Sequence, residues 1–249
     1  MNRNDPEDDD GEASAPGMGD ATEGENDSAT LLTGERKEKL IASKEAWARE
    51  GRGLTGSRST GDRGQPRLPP GQRLVRDFPV LDLGVQPVIP QEAWKLDIAG
   101  HVDVPTVWDW ATFLAQPQVR QVSDIHCVTT WSRYDNVWQG VTARHLLAVV
   151  RPKPSARFVI FRSFDGYATN VPLAAFADED VLLAHTWQGR PLACEHGGPV
   201  RVVISRLYFW KSTKWIRQVL FLDTDVPGTW EVRGYHNKGD PWQEERYSQ

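Results

Sequence analysis

One of the two cysteines in this sequence stands where a reactive thiolate would be expected. Cys127 follows the segment 118–126, which reads as a strand, and precedes a polar and aromatic loop at 129–136. A thiolate at the edge of a scaffold can bind a soft metal or act as a nucleophile. A buried, unreactive cysteine is the plainer alternative, because free cysteine is commonly a core residue. The hydrophilic loop favours the reactive thiol, since a purely structural strand end does not require it.

A second group of polar residues lies between positions 196 and 215. His196 is followed by Gly-Gly-Pro, Arg201 begins an apolar run, and residues 211–214 are Lys-Ser-Thr-Lys. Glycines let the backbone approach a ligand closely, and basic and hydroxyl side chains could hold a phosphate. The plainer alternative is a solvated turn with incidental lysines. The segment does not match the GxxxxGK[ST] phosphate loop, because the glycines required before the lysine are absent.

A third group lies between these two, within residues 161–173. Ser163, Asp165 and Tyr167 leave an apolar strand and enter a turn that contains Asp-Gly. If the strand is central in a sheet, these side chains would face a pocket. An ordinary Asp-Gly turn explains the same residues. The local sequence does not decide between the two.

Taken together and in this order, the three groups resemble the sulfite oxidase family of molybdopterin-dependent oxidoreductases. The motifs are Cys-x3-Trp-Ser with Trp-x-Gly, Gly-Tyr before Pro-Leu, and His-Gly-x-Pro-x-Arg followed by Lys-Trp. The resemblance covers roughly residues 74–222 and is to short bacterial members that consist of little besides the molybdenum domain. It implies a sulfite-oxidase-type molybdopterin-binding domain with a molybdenum–molybdopterin cofactor. The implied activity is transfer of an oxygen atom to or from a small substrate, either a sulfite-like anion or a sulfoxide.

The resemblance also implies roles for individual residues. Cys127 matches the cysteine whose thiolate binds molybdenum, and Tyr167 matches an active-site tyrosine beside the metal. Arg76 lies in an early segment that contacts the cofactor, and we expect it to take part in both catalysis and cofactor binding. The other residues expected to bind the cofactor are Asp77, Phe78, Ser163, Asp165, His196, Arg201, Ser212, Thr213 and Lys214.

The sequence departs from the family pattern in ways that limit the substrate prediction. Animal and plant sulfite oxidases follow their cysteine with Ala-Gly-Asn-Arg, whereas residues 128–131 are Val-Thr-Thr-Trp here. An anion-binding arginine therefore does not transfer to this loop, and sulfite is not specified. Ser205 stands where relatives often place proline, which we expect to affect the turn more than the chemistry. No haem domain is evident, and residues after 222 leave no room for a dimerisation domain, so we expect a separate, unidentified electron-transfer partner.

Two alternatives remain open. One is a non-catalytic, cofactor-carrying or protein-interaction module of the same fold, with the acidic N-terminus and the aromatic C-terminus as binding surfaces. The other is a zinc site formed by Cys127 with His126 or His185, although their spacing lacks the recurring zinc patterns.

The charge distribution argues against several classes of partner. The chain has 34 acidic and 29 basic residues among 249, and residues 1–30 hold ten of the acids and one arginine. The rest is mildly basic but lacks the dense Lys/Arg clusters typical of nucleic-acid binding. There is no run of 18 apolar residues and no recognisable leader, so we expect no membrane span and a cytoplasmic location.

The elements that would position these groups predict an α+β fold, with a β-rich mixed core and peripheral helices. Thr106 would cap a helix at 107–115, and Thr142 would open a second helix that runs to 150. The predicted strands are 94–98, 118–126, 157–161, 181–186, 200–204 and 215–222.

The composition also predicts three regions. Residues 1–33 form a disordered acidic tail, 34–73 an N-terminal helix and linker, and 74–249 the molybdopterin-binding domain. The last region includes an aromatic C-terminal tail from about residue 223. Because this tail is too apolar to be free, we expect Trp230, Tyr235 and Trp242 to pack on the domain.

Overall fold

The computed structural model describes residues 66–84 and 86–248, together with Glu38 and Ala42. The predicted acidic tail at 1–33 and most of the predicted helix and linker at 34–73 lie outside the described residues. Within them the chain forms two sheets, three short α-helices and several single turns of 3-10 helix.

The strands and helices are numbered in chain order. The strands are β1 Arg73–Leu74, β2 Lys95–Gly100, β3 Thr106–Asp109, β4 Val119–His126, β5 Trp131–Thr142, β6 Phe158–Ser163, β7 Ala168–Pro172, β8 Leu182–Trp187, β9 Arg190–Pro191, β10 Arg201–Val203 and β11 Ile216–Leu222. The α-helices are α1 Trp110–Ala115, α2 Ala143–Val150 and α3 Leu173–Phe176. Turns of 3-10 helix occupy Cys194–His196, Phe209–Lys211, Glu231–Arg233 and Pro241–Gln243.

The first sheet has the order β1-β5-β8-β10, with β4 also paired to β5 and β9 to β8. Its pairs are antiparallel except β1 with β5. The second sheet has the order β3-β2-β11-β6-β7, in which only β2 and β11 run parallel. Two mainly antiparallel sheets with helices at their margins confirm the predicted α+β class.

In the first sheet, β10 and the first half of β8 are buried on both faces. In β8, Leu183 belongs to the larger core cluster, which also contains residues of the second sheet and of all three helices. Its neighbours Leu182 and Ala184 belong to a second cluster on the opposite face, where Cys127 lies. Because successive side chains of a strand point to opposite faces, an uninterrupted apolar run is what such a strand requires. The second cluster is therefore the apolar contact through which the sheet packs against the segment that contains Cys127.

Several predicted elements are confirmed, including strand 118–126 and the helix opened by Thr142, whose hydroxyl accepts a hydrogen bond from His145 N. The helix predicted at 107–115 was wrong at its start. Residues 106–109 form β3, which pairs with β2 and buries Trp108, so the helix begins only at Trp110. Its cap is the carboxylate of Asp109, which accepts from Thr112 N, and not Thr106.

The loop predicted after Cys127 is also wrong, because residues 131–142 form β5, a strand of twelve residues. Its polar side chains are accommodated within the sheet. Asn136 is buried and donates to the carbonyl oxygens of Ser123 and Arg133. In the C-terminal region, Trp230 and Tyr235 are buried in the second cluster, and Trp242 is half-buried against the ring of His126.

Candidate active site

A tight turn between β4 and β5 presents the thiol of Cys127. The Cys127 N–H donates to Trp131 O at 2.8 Å, and the Thr130 N–H donates to Cys127 O at 3.1 Å. Thr130 has a φ of 72°, in the left-handed region that closes the turn. The sequence placed Cys127 at a strand end, and the structure has it there, held by the hairpin that β4 and β5 form.

The thiol lies on the wall of a cleft of about 860 Å³, counting the open space at its mouth. Nine of the predicted site residues line this cleft: Phe78, Cys127, Ser163, Asp165, Tyr167, His196, Arg201, Ser212 and Lys214. They come from the segment before β2, the β4–β5 turn, the β6–β7 turn and the region between β9 and β11. The three groups of residues singled out in the sequence therefore meet in one place.

The structure does not bring three predicted residues to the described lining of the cleft. The chain bends at Arg76 and Asp77, and both side chains are exposed, whereas Phe78 enters the cleft. The Arg76 carbonyl oxygen accepts a hydrogen bond from Arg133 Nε at 3.1 Å. Thr213 is fully buried behind the lining, and its hydroxyl has no partner among the described residues. The geometry thus gives no support to Arg76 as a catalytic group.

Arg201 places a buried positive charge in the cleft wall. Its side chain donates to His196 O at 2.8 Å and to Ser212 O at 2.9 Å, and the guanidinium lies 4.2 Å from the ring centre of Phe209. Burial lowers the pKa of Arg201 to about 9, which reflects the cost of holding this cation away from water. Carbonyl oxygens offset that cost only in part, so an anionic group in the cleft would stabilise the charge further.

His196 and Lys214 lie beside Arg201. The His196 ring stacks on Phe78, with centroids 4.1 Å apart and planes 7° from parallel. Burial, followed by the charge of Arg201, lowers the pKa of His196, so the ring is neutral at neutral pH. Gly197 has a φ of 102°, and a Cβ there would lie 2.8 Å from Lys214 Cβ, so only glycine lets this turn approach the lysine stem. Lys214 Nζ donates to Glu195 O at 2.8 Å.

Tyr167 forms another part of the cleft wall. Its hydroxyl donates to Trp210 O at 2.6 Å, and burial raises the pKa of Tyr167 well above its usual value, so the phenol keeps its proton. Behind this wall, Lys211 Nζ and Glu231 Oε1 form a buried ion pair at 2.6 Å. Trp210 Nε1 donates to the same carboxylate oxygen at 2.9 Å. The ion pair therefore fixes the side chain of Trp210, the residue whose main-chain carbonyl oxygen accepts from Tyr167.

The lining also contains aromatic side chains that were not predicted as site residues. They are Trp131, Phe209, Trp210, Trp215, Trp230 and Tyr235. Trp131 Nε1 is buried and has no hydrogen-bond partner among the described residues. An unpaired buried donor is costly, and a polar ligand in the cleft could satisfy it. The Cys-x3-Trp spacing was the available signal, since it ties Trp131 to the turn of Cys127.

These features fit the cofactor that the sequence implies. Arg201 and Lys214 offer charge to a phosphate, Trp131 offers a donor to a polar heterocycle, and Cys127 offers a soft sulfur to a metal. The zinc alternative fits less well. In the described ranges no three His, Cys, Asp or Glu side chains cluster as a metal site would need. His126 Nδ1 bonds to Ser132 Oγ at 2.8 Å, and His185 packs edge-on against Trp110 and Phe113.

Comparison with known families decides the class of protein. A family described as the oxidoreductase molybdopterin binding domain matches residues 83–230. The chain belongs to this family. The match contains the Cys127 turn, the β6–β7 turn and the whole region from His196 to Lys214. The predicted class is confirmed: this molybdopterin-binding domain is that of a sulfite-oxidase-family oxidoreductase with a molybdenum–molybdopterin cofactor.

Individual relatives agree with the family assignment. The chain is similar to the uncharacterized oxidoreductase YuiH of Bacillus subtilis (strain 168), with 44% identity over 183 residues, which are 73% of this chain and 92% of YuiH. It is also similar to the protein-methionine-sulfoxide reductase catalytic subunit MsrP of Campylobacter jejuni, with 27% identity over 161 residues, which are 55% of this chain and 52% of MsrP. The aligned part of the chain thus spans nearly all of YuiH and about half of MsrP.

Among solved structures, the fold is similar to that of the sulfane dehydrogenase SoxCD from Paracoccus pantotrophus. The TM-score is 0.53 and the identity 22%, over 57% of this chain and 41% of that chain. This likeness supports the fold of the domain. In the part of the chain that the structure describes, no helix is both long and apolar enough to cross a membrane.

Proposed function

We propose that the Cys127 thiolate is the protein ligand of molybdenum and that the enzyme transfers an oxygen atom between the cofactor and a small substrate. One observation carries this proposal. The thiol of Cys127 and the buried cation of Arg201 belong to distant segments yet line the same cleft. A soft metal ligand and an anion-stabilising group in one cleft are what a metal–pterin phosphate would need.

Each wall of the cleft has a separate task in this proposal. Arg201, Ser212 and Lys214 hold the phosphate, and the His196–Phe78 stack and Trp131 Nε1 hold the heterocycle. When bound, the cofactor supplies the exchange of two electrons and an oxygen atom. The aromatic side chains on the remaining wall exclude water from the space in front of Cys127.

Tyr167 is suited to hold the substrate oxygen. Its phenol keeps its proton at all physiological pH values, because burial raises the pKa of Tyr167. The hydroxyl donates to Trp210 O at 2.6 Å, and a modest rotation would let it donate to a substrate oxygen instead. The Lys211–Glu231 ion pair holds Trp210 in place and so keeps the phenol near the open space of the cleft.

The lining favours a neutral sulfoxide over a sulfite anion. The cleft wall contains eight Phe, Tyr and Trp side chains, and its carboxylates are Asp82, Asp165 and Glu195. With Arg201 and Lys214 engaged by the phosphate, these carboxylates would repel an anionic substrate. One relative is named a protein-methionine-sulfoxide reductase catalytic subunit. The proposed net reaction is reduction of a sulfoxide by two electrons and two protons to a sulfide and water, with electrons from a separate partner.

Cys127→Ser tests the proposal, with Cys194→Ser as the matched control, since these are the two cysteines of the chain. The measurements are molybdenum content by elemental analysis and reduction of methyl sulfoxides by a reduced viologen dye. We expect the Cys127 variant to stay folded and to lose turnover. The Cys194 variant should keep its molybdenum content and its turnover. Turnover by Cys127→Ser at the rate of the unmodified enzyme would refute the ligand assignment.

The same assay distinguishes the other possibilities. Dye-linked oxidation of sulfite without sulfoxide reduction would reverse the proposed direction of transfer. A fully loaded protein that turns over neither substrate would favour the cofactor-carrying module.

A further inference from the structure

The hydroxyl of Thr129 contacts the sulfur of Cys127. Thr129 Oγ1 lies 3.1 Å from Cys127 Sγ, within hydrogen-bonding distance for sulfur. Both side chains line the cleft. In the free thiol either atom could be the donor. A thiolate bound to a metal has no hydrogen, so in the loaded enzyme only the Thr129 hydroxyl can donate.

The backbone of the turn holds this contact in place. Residues 127–130 close on themselves through the Thr130 N–H to Cys127 O bond. Gln72 Nε2 donates to Cys127 O at 3.1 Å, and the Arg73 N–H donates to Thr130 O at 2.8 Å. The carbonyl groups on both sides of Thr129 are therefore fixed by a neighbouring segment. A fixed turn keeps the hydroxyl close to the sulfur without further ordering cost.

We propose that Thr129 is a positioning residue that donates a hydrogen bond to the Cys127 thiolate and thereby raises the reduction potential of the molybdenum site. The proposal rests on the proposed function, because it requires Cys127 to be the metal ligand. A hydrogen bond to a ligating sulfur draws electron density away from it, so the sulfur donates less to the metal. The reduced, electron-rich metal is then favoured over the oxidised one, as in other sulfur-ligated centres.

Thr129→Val and Thr129→Ser separate the hydroxyl from the shape of the side chain. Valine has nearly the same volume and lacks the donor, whereas serine keeps the donor. Thr106→Val is the matched control, because Thr106 is a half-buried threonine of β3 whose hydroxyl donates to a local carbonyl oxygen. The measurement is potentiometric titration of each holoenzyme, followed by the electron paramagnetic resonance signal of Mo(V), together with molybdenum content.

We expect the midpoint potential of Thr129→Val to shift to lower values, with changed g values of the Mo(V) signal, at unchanged molybdenum content. Thr129→Ser should restore both toward the parent enzyme, and Thr106→Val should leave them unchanged. A packing role for Thr129 predicts no shift in potential. A parent-like potential and signal in fully loaded Thr129→Val would therefore overturn the proposal.

Loss of metal has a defined meaning in this experiment. If Thr129→Val fails to retain molybdenum and Thr129→Ser retains it, the hydroxyl contact is supported. If both variants fail to retain molybdenum, the site depends on the shape of the Thr129 side chain and not on its hydroxyl, and the proposal is overturned. Cys127→Ser separates this proposal from the proposed function. An unchanged Mo(V) signal in Cys127→Ser refutes the metal-ligand assignment, whereas a changed signal there with an unchanged one in Thr129→Val refutes only the role of Thr129.

Discussion

Arg246 donates a hydrogen bond from Nη1 to the carbonyl oxygen of Val128, at 2.5 Å, and so joins the C-terminal part of the chain to the turn of Cys127. Gln72 reaches the same turn from the N-terminal side, through its bond to Cys127 O. Both residues lie outside residues 83–230, the part that matches the molybdopterin-binding family. The turn that carries the proposed metal ligand is thus supported by flanking segments on both sides.

Arg246→Ala should loosen this turn. The variant loses a charged donor to a carbonyl oxygen in a partly buried position, so we expect the free energy of unfolding to fall by about 1–2 kcal/mol. Molybdenum retention after dialysis should fall as well. Denaturant unfolding and elemental analysis measure the two effects. Arg217→Ala, at an exposed arginine of β11, is the control and should behave as the parent enzyme does. Equal retention in both variants would show that the contact does not support the site.

Lys214→Ala tests the proposed phosphate contacts with less disturbance of the fold than Arg201→Ala. Lys214 is only half-buried, whereas Arg201 holds the carbonyl oxygens of His196 and Ser212 and its removal would unsettle the core. A charge-assisted contact to phosphate contributes on the order of 1.5–3 kcal/mol, so cofactor should dissociate at least about tenfold faster. The rate is measured from the loss of pterin fluorescence in the protein fraction. Lys153→Ala, at an exposed lysine remote from the cleft, should change nothing. An unaltered rate of cofactor dissociation in Lys214→Ala would show that this lysine does not hold the phosphate.

The sequence predicted most of the cleft because local motifs carry its charged groups. The segment from His196 to Lys214 contains two glycines, which are typical of places where the backbone approaches another group closely. In the structure, Gly197 packs against the Lys214 side chain. The roles expected of Arg76 stay a prediction. They came from the resemblance of its segment to the family's early cofactor-contacting segment, whereas in the structure the chain bends at Arg76 and its side chain is exposed. A bend of this kind depends on tertiary contacts that the residue types do not reveal.

Other parts could not be predicted because they depend on distant segments. β5 carries polar residues such as Asn136, whose buried amide donates to the carbonyl oxygens of Ser123 in β4 and of Arg133. A strand is normally recognised in a sequence by the alternation of apolar and polar residues. That pattern is lost where a polar side chain is buried together with its hydrogen-bond partner. Trp210 lies in one 3-10 turn and Trp230 directly precedes another, and both line the cleft. From the sequence alone, these tryptophans could equally be ordinary core residues.

Glu231→Gln should destabilise the protein strongly. Glu231 Oε1 accepts from Lys211, Trp210 and Thr169, and Lys211 is fully buried. Removing the negative charge leaves the Lys211 ammonium unpaired in the interior, which costs about 3–5 kcal/mol in comparable cases. The double variant Lys211→Met, Glu231→Gln should recover part of this loss, because it removes both charges. Denaturant unfolding of the two single variants and the double variant gives the coupling energy, and additive losses would contradict a paired role.

Stability should depend on pH through His126. The ring is almost fully buried and Nδ1 bonds to Ser132 Oγ at 2.8 Å. Burial lowers the pKa of His126 to about 4, against a usual value of 6.5. Between these two values the unfolded chain takes up a proton that the folded protein does not. The free energy of unfolding should therefore fall as the pH is lowered from about 6.5 to about 4, by up to roughly 3 kcal/mol.

His126→Gln isolates this contribution. The variant removes the titrating group while an amide can still bond to Ser132, so its free energy of unfolding should depend less steeply on pH between about 4 and 6.5 than that of the parent. Above about pH 6.5 both states of the parent hold His126 neutral, and the two curves should run parallel. His101→Gln, at a half-buried histidine bonded to Ser155 in the other half of the fold, is the control. A parent-like slope in His126→Gln would mean that groups other than His126 cause the acid sensitivity.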